Sequence, residues 1–361
     1  MLLTEIQIKN FRCFSQISLE LKGPLVLIQG VNGSGKTSLL EALHYLCFLR
    51  SFRTHSPRDL IHFGSEGFFI KAQIDDAQSA SHEIQVGFAG KKRLVKINQK
   101  AISSYKELMD YYRIVTITED DLHLISSGPE IRRAFIDQAL LLDDPEFIQI
   151  MRNYKHIVDS RNALLAQGRI NLESYTLWTD QLWATSRILQ ERRIAMLGQL
   201  QDITNQMLAE NFNDPLSVAF AYSPKKVGPE VDEIEFKAMQ PGLYAEETRF
   251  ARSLFGAHLD DFVIKFQDKK SKVFASRGQQ KLIVLLMKVA QMKHIGGNKG
   301  GNSTIFLLDD FMTDFDPGRA HTLLDILCGL ENQLIFTSPI DRGSFEDKLS
   351  DRGAYQVKLT P

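Results

Sequence analysis

The chain has 361 residues, 43% hydrophobic and 24% charged, proportions that exclude a disordered chain, a collagen or a coiled-coil rod. Its 43 Lys+Arg and 44 Asp+Glu leave a net charge of −1, which excludes a whole-molecule polycation but not local basic patches. The length suits two domains, or one domain with a large insert. The first informative stretch runs from Leu25 to Leu40, LVLIQGVNGSGKTSLL. A buried-strand run leads into Gly-x-x-x-x-Gly-Lys-Thr, and an apolar-periodic helix follows through Phe48, the context in which a phosphate loop works. Gly30, Gly33 and Gly35 can turn successive N–H groups inward, forming an anion nest over a helix N-terminus. Lys36 would reach the β- and γ-phosphates of ATP, and the Thr37 hydroxyl would hold Mg²⁺. Val31, Asn32, Ser34 and Ser38 complete the expected nucleotide loop.

Further along, residues 91–106 carry Lys91, Lys92, Arg93, Lys96, Lys100 and Lys106 with no acid. As a strand, KKRLVKINQK puts Arg93, Val95 and Ile97 on one face and Leu94 and Lys96 on the other. Such an edge can contact DNA phosphates without sequence readout, and it serves equally as a solvated, edge-protecting charge run. From about 130 to 212 the pattern turns helical: Phe147, Met151, Tyr154, Val158 and Leu165 form one amphipathic stripe. After a turn at Gly168–Asn171, Trp178, Leu182, Leu189, Met196, Ile203 and Met207 form a longer one. The two predict an antiparallel pair, a short helical arm with its tryptophans in the core. Nine basic and ten acidic residues between 131 and 212 give that arm no polycationic face. Strands at Leu216–Tyr222 and Phe262–Phe266, with a loop through SPKKVGPEVDEIE between them, are expected to return the chain to the ATPase half. A second basic stretch, 249–288, has nine basic and three acidic residues and includes Lys269 and Lys270.

The second half of a nucleotide site comes late. Ala275–Lys281, ASRGQQK, precedes an apolar helix, so Ser276, Gly278 and Gln279 offer a hydroxyl, a flexible backbone and a positive helix end to a terminal phosphate. The same residues could be a helix N-cap with no ligand. Because the chain's own phosphate loop occupies one side of that phosphate, the second anion site would serve a nucleotide on another subunit, the trans-acting arrangement of ABC-type ATPases. Ile305–Asp310, IFLLDD, is an apolar strand ending in carboxylates: Asp309 as Mg²⁺ ligand and Asp310 as general base orienting water. Most of the chain separates the two halves, too much for a small-molecule kinase or GTPase core. Cys13, Cys47 and Cys328 lie far apart and suggest neither zinc nor disulfides. No run of about 18 apolar residues and no signal pattern occurs, so a cytoplasmic location without a membrane partner is expected.

Several segments together carry a family resemblance. Ile6–Phe14, IQIKNFRCF, looks like the opening strand of SMC-like ABC ATPases. Arg50–Thr54 with Asp59–Ile61, Glu119–Leu124, Gly128–Asp137, Tyr154–Lys155, Arg161–Leu165, Ser276–Lys281 and the Asp309–Asp310 strand resemble the bacterial recombination mediator family RecF, in order and over nearly the whole length. The resemblance implies an α/β fold: an ABC-type P-loop ATPase core formed from both chain ends (1–114 and 262–361). An inserted, mainly helical lobe (115–261) would carry the antiparallel arm. It also implies a weak, DNA-stimulated ATPase that binds DNA, duplex and gapped or single-stranded, as an ATP-driven homodimer. Each composite site would pair Lys36, Thr37, Asp309 and Asp310 of one copy with Ser276, Gly278 and Gln279 of the other. Arg12, by analogy with SMC-like proteins, would touch phosphate. The basic stretches, with Lys91, Lys92, Arg93, Lys269 and Lys270, would meet DNA, and the implied partners are RecR and, with it, RecO and RecA. Departures are Thr313-Asp314-Phe315-Asp316 where the family usually has Ser-Glu-Leu-Asp, Ser126-Ser127 in place of a basic residue and a Gly, and Thr337 or Ser338 where ABC proteins often have a histidine. A neutral hydroxyl there predicts slow hydrolysis. The rival readings are an SMC-like ATPase of a defence or other DNA-maintenance system and a transporter nucleotide-binding subunit. The roughly 80-residue helical arm and the lack of a second catalytic constellation count against them.

Overall fold

Alternating apolar residues open the chain as β1 (Leu2–Phe11), and a bulge between Leu3 and Glu5 brings Leu3 onto the buried face with Ile6 and Ile8. The computed structural model describes residues 1–75, 80–167, 170–213, 215–298, 304–339 and 343–360. In chain order β2 (Phe14–Glu20), β3 (Leu25–Gly30), α1 (Lys36–Phe48), β4 (Gly67–Asp75), β5 (Ser81–Ala89), β6 (Lys92–Ile97) and β7 (Lys100–Ala101) follow. Next come α2 (Tyr105–Tyr111), β8 (Arg113–Ile117), α3 (His123–Ser126), α4 (Pro129–Asp143), α5 (Phe147–Leu165) and α6 (Leu172–Asn211). The remainder is β9 (Val218–Ser223), α7 (Glu233–Phe250), β10 (Asp261–Phe266), β11 (Lys269–Lys270), α8 (Ser271–Phe274), α9 (Arg277–Asn298) and β12 (Thr304–Leu308). The chain closes with α10 (Pro317–Cys328), β13 (Gln333–Ser338), α11 (Gly343–Asp351) and β14 (Tyr355–Leu359).

The chain divides into two units, Met1–Asp121 with Lys288–Pro361, and Leu122–Met287. The first holds an antiparallel sheet ordered β2-β1-β4-β5-β6-β7 and a parallel sheet ordered β14-β3-β13-β12-β8. The parallel strands are continuous apolar runs because both faces are covered: every residue of β8, β12 and β13 is buried. Gln333, at the head of β13, ties the two sheets together. Its amide accepts from Leu3 N at 2.8 Å and donates to Leu3 O at 2.9 Å and Gly23 O at 3.1 Å. Lys288 is buried but compensated, donating to Thr116 O at 2.9 Å and pairing with Asp121 at 2.8 Å.

In the second unit α5 and α6 pack antiparallel as expected, but the tryptophans are not in the core: Trp178 and Trp183, like Met151 and Ile203, are half-buried. Arg161 meets Thr179 and Tyr154 meets Ser186, so moving back along α5 moves forward along α6, which makes the pair antiparallel. Of the expected turn between them, Gly168 and Arg169 lie outside the described residues. Arg161 is fully buried and chelates Glu247 with bonds of 3.0 and 2.5 Å, while Tyr175 Oη donates to the same carboxylate at 2.7 Å. A buried pair of this kind needs those extra donors to offset desolvation. Two expectations are corrected. The strands at 218–223 and 261–266 do not join the ATPase half; β9 and β10 pair with each other in a three-stranded antiparallel sheet with β11, packed on α4 and α6. The second boundary therefore falls between Met287 and Lys288, not before Phe262. The stretch after Asp232 is not all loop either, since a capping box of Asp232 and Glu235 starts α7.

His44 on α1 is buried 2.9 Å from Thr116 Oγ1, and burial, aided by the charges of Arg50 and Lys288, pushes its pKa down to about 3. The unfolded chain takes up that proton near pH 6.5, so the contribution of His44 to stability is complete above that pH. It is lost as pH falls toward 3, at about 1.4 kcal/mol per pH unit. Denaturant unfolding of His44→Gln between pH 7 and 4 is expected to show a shallower loss of stability than the parent.

Candidate nucleotide site

The phosphate loop connects the end of β3 to the start of α1, and its backbone needs glycine. Gly33 and Gly35 sit at φ +87° and +95°, where L side chains are strained. A Cβ on Gly35 would lie 2.6 Å from the Phe14 ring and 2.7 Å from Cys13 Sγ, so the β1–β2 corner packs directly on the loop. A Cβ on Gly30 would collide with the Ser34 hydroxyl. The Lys36 ammonium is folded back onto the loop, donating to Gly30 O at 2.8 Å and Val31 O at 3.4 Å. Ser34 Oγ is buried and has no protein hydrogen-bond partner. A cationic side chain whose described hydrogen bonds go to loop carbonyls, an orphaned buried hydroxyl and left-handed glycines fit a polyphosphate.

The carboxylate half is brought in by strand order. β13 lies between β3 and β12, with Thr337 opposite Ile28 and Phe336 opposite Leu308. Thr337 thus stands beside both aspartates: its hydroxyl is 2.8 Å from Asp309 Oδ1 and 3.3 Å from Asp310 Oδ1, and accepts from Asp310 N at 2.9 Å. Burial pushes the Asp309 carboxyl up and the Asp310 charge adds to this; the Thr37 and Thr337 hydroxyls and Lys36 oppose it. Thr37, Lys36, Asp309 and Asp310 are therefore gathered in one place, and Thr37 with Asp309 supplies the oxygen donors that Mg²⁺ prefers. Asp310 sits at φ +48°, a left-handed conformation rare outside glycine and costly enough to need support from its surroundings. Ser338 turns away, donating to Glu346 at 2.6 Å, so of the two hydroxyl candidates Thr337 faces the site.

Other expected residues have different surroundings. Arg12 is chelated by buried Glu41 at 2.7 and 2.6 Å and donates to Asp59 O at 2.9 Å; Ser51 donates to the same carboxylate. That anchors the opening strand and the Arg50–Asp59 segment to α1. Val31 and Asn32 are exposed on the loop and Ser38 is buried on the first turn of α1. In the second unit Ser276 and Gln279 form a reciprocal cap on α9: Ser276 N donates to Gln279 Oε1 at 2.8 Å and Gln279 N to Ser276 Oγ at 3.3 Å. Ser276 is exposed and Gly278 half-buried. Ser126 and Ser127 are occupied by His123, and Ser127 O accepts from Arg132. Lys91 and Lys92 are exposed at the β5–β6 turn, and Arg93 lies over the Tyr45 ring at 5.6 Å. Val95 and Ile97 are buried while Leu94 is exposed, as the alternation requires. Lys269 and Lys270 lie in the other unit, not in the ATPase core to which the expected bounds 262–361 assigned them. Sequence reasoning missed the Cys13–Phe14 buttress on Gly35, for which no local signal exists.

Two substitutions test this geometry. Gly35→Ala is expected to keep the fold but to lose nucleotide binding, because strain and the clash with Phe14 together cost on the order of 1–3 kcal/mol in the loop; isothermal titration with a nucleoside triphosphate checks it. Thr337→Val removes the hydroxyl shared by both carboxylates and should lower turnover by about 10–100-fold while nucleotide binding persists. Single-turnover assays separate the two.

Comparison with known proteins identifies the family of the chain. A profile of the RecF/RecN/SMC N terminal domain matches residues 2–356. The DNA replication and repair protein RecF of Natranaerobius thermophilus is 31% identical over 347 residues, covering 91% of this chain and 89% of its own. Two solved structures of the recombination mediator protein RecF in the RecFOR pathway, with ATPrS and with ATP, superpose with TM-scores of 0.85 at 23% and 24% identity. They cover 99% and 94% of this chain and 96% and 92% of theirs. With a match from end to end and a relative of that identity, the chain belongs to the RecF family of SMC-like P-loop ATPases.

Proposed function

We propose that this chain is an ATP-driven DNA-binding switch of recombinational repair. The observation that carries the reading is the convergence of Lys36, Thr37, Asp309 and Asp310 around the Thr337 hydroxyl. Lys36 swings from its loop carbonyls to the terminal phosphates, and the nest of Gly30, Gly33 and Gly35 supplies N–H donors. Thr37 and Asp309 would hold Mg²⁺, which would supply positive charge to the phosphates. Asp310, kept in place by Thr337, accepts the proton of the attacking water. A hydroxyl in the position often held by imidazole supplies no cationic charge, so hydrolysis is weak; its rise on DNA binding rests on the family resemblance.

Ser276, Gly278 and Gln279 complete the site of a second copy. The exposed Ser276 hydroxyl at the head of α9 supports this role, and ATP thereby drives homodimerisation. DNA binds at the β5–β6 edge through Lys91, Lys92 and Arg93, by phosphate contacts without sequence readout. The names of the relatives, DNA replication and repair protein and recombination mediator of the RecFOR pathway, support action with RecO and RecR, and the sequence resemblance extends this to RecA on gapped DNA.

Sizing chromatography and DNA binding without nucleotide, with ATP and with ADP test this reading. Lys36→Arg is expected to bind ATP and hydrolyse it poorly, whereas Ser276→Arg binds ATP and stays monomeric. Dimers of Ser276→Arg in ATP would remove the trans role. An unchanged salt slope of DNA binding after charge reversal at Lys91, Lys92 and Arg93 would remove the β5–β6 edge.

A further inference from the structure

Within the second unit a cavity of about 130 Å³ opens beside β10 and β11. Its inner wall is aliphatic and aromatic, from Leu124, Ile125, Phe262 and Ile264, all buried. Its outer wall carries Lys270 and Lys272, both exposed and with no ion pair among the described contacts. The guanidinium that also lines it, Arg132, is already committed: Nε and one amino group bind Asp261 at 2.7 and 2.9 Å, and the other donates to Leu124 O and Ser127 O. The inner end therefore offers apolar side chains and no spare side-chain donor, while the mouth offers unspent positive charge. A cavity of about this size, about 150 Å³ in an engineered case, takes a single benzene ring.

We infer that this cavity docks a short acidic peptide of a partner protein, one Phe- or Leu-like side chain filling the aliphatic end and flanking carboxylates meeting Lys270 and Lys272. Charge complementarity selects the occupant. A duplex backbone supplies anions but nothing apolar to fill the cavity. A single-stranded base would bury its polar edge against side chains that cannot hydrogen-bond it, which is costly. A peptide with an apolar anchor and acidic flanks satisfies both ends at once. The site is independent of the nucleotide-binding reading, because the cavity belongs to residues between Leu122 and Met287 alone.

The test uses the full chain and a fluorescein-labelled peptide, Gly-Asp-Asp-Phe-Asp-Asp-Gly, with two altered probes, Phe replaced by Ser and all Asp replaced by Asn. Fluorescence anisotropy is expected to show saturable binding that weakens by about tenfold for either altered probe. The same loss is expected for the double variant Lys270→Glu, Lys272→Glu, whose thermal melting should be unchanged because both side chains are exposed. Competition with oligo-dT and with duplex DNA supplies the remaining arm, in which neither is expected to displace the peptide. Equal binding of the Ser probe, absence of saturable binding, or loss of nucleic-acid affinity in the double variant with peptide affinity unaltered would each overturn the assignment.

Discussion

A single strand placement governs the nucleotide site. By entering between β3 and β12 in parallel register, β13 puts Thr337 between the phosphate loop and the paired aspartates. Had the carboxylate strand paired directly with β3, no hydroxyl would separate the two halves. The placement is secured from the far end, where Gln333 bonds backbone groups of Leu3 and Gly23 and so fixes β13 against the antiparallel sheet. Buried amide networks of this kind are satisfied in one register only, and a slip would leave them orphaned. Parallel pairing of Asp309 N with Ile117 O extends the same control to β8.

Charge is treated differently inside and outside that site. Arg12 with Glu41, Lys288 with Asp121, Arg193 with Asp137 and Arg161 with Glu247 are matched pairs, each holding chain segments together. Asp309 and Asp310 are instead two like charges bridged by a neutral hydroxyl. Burial and mutual repulsion push Asp309 upward, which makes a cation welcome there. The left-handed Asp310 adds backbone strain at the same point. Sites that do chemistry tend to hold such like-charged and strained features because the surrounding sheet over-determines them. The elements with that rigidity here are the buried parallel strands.

The motifs that identify the family are local in the chain. Gly30–Thr37 and Ile305–Asp310 could be read because one is a strand-to-helix loop and the other a strand ending in carboxylates, and local backbone geometry demands those residue types. The helical stripes of α5 and α6 were likewise readable from spacing, since one face of each meets the other. The partner of a short strand is not a local property. Leu216–Tyr222 and Phe262–Phe266 have the alternation of half-buried strands, which says nothing about which sheet receives them; they pair with one another. The N-terminus of α7 was signalled by Asp232 and Glu235, but the preceding run of Pro and Gly masked it.

Sequence alone therefore determined the phosphate loop, the aspartate strand, the capped start of α9 and the antiparallel helices, all of which depend on neighbours within a turn or two. Tertiary structure decided the rest. It selected Thr337 over Ser338, because only the register of β13 tells which hydroxyl faces the aspartates. It required Gly35 to lack a side chain, because Cys13 and Phe14 come from another strand. It assigned 262–287 to the second unit, because β10 found its partner in β9. Each of these depends on contacts between residues far apart in the chain, and composition and periodicity do not encode which distant segments meet.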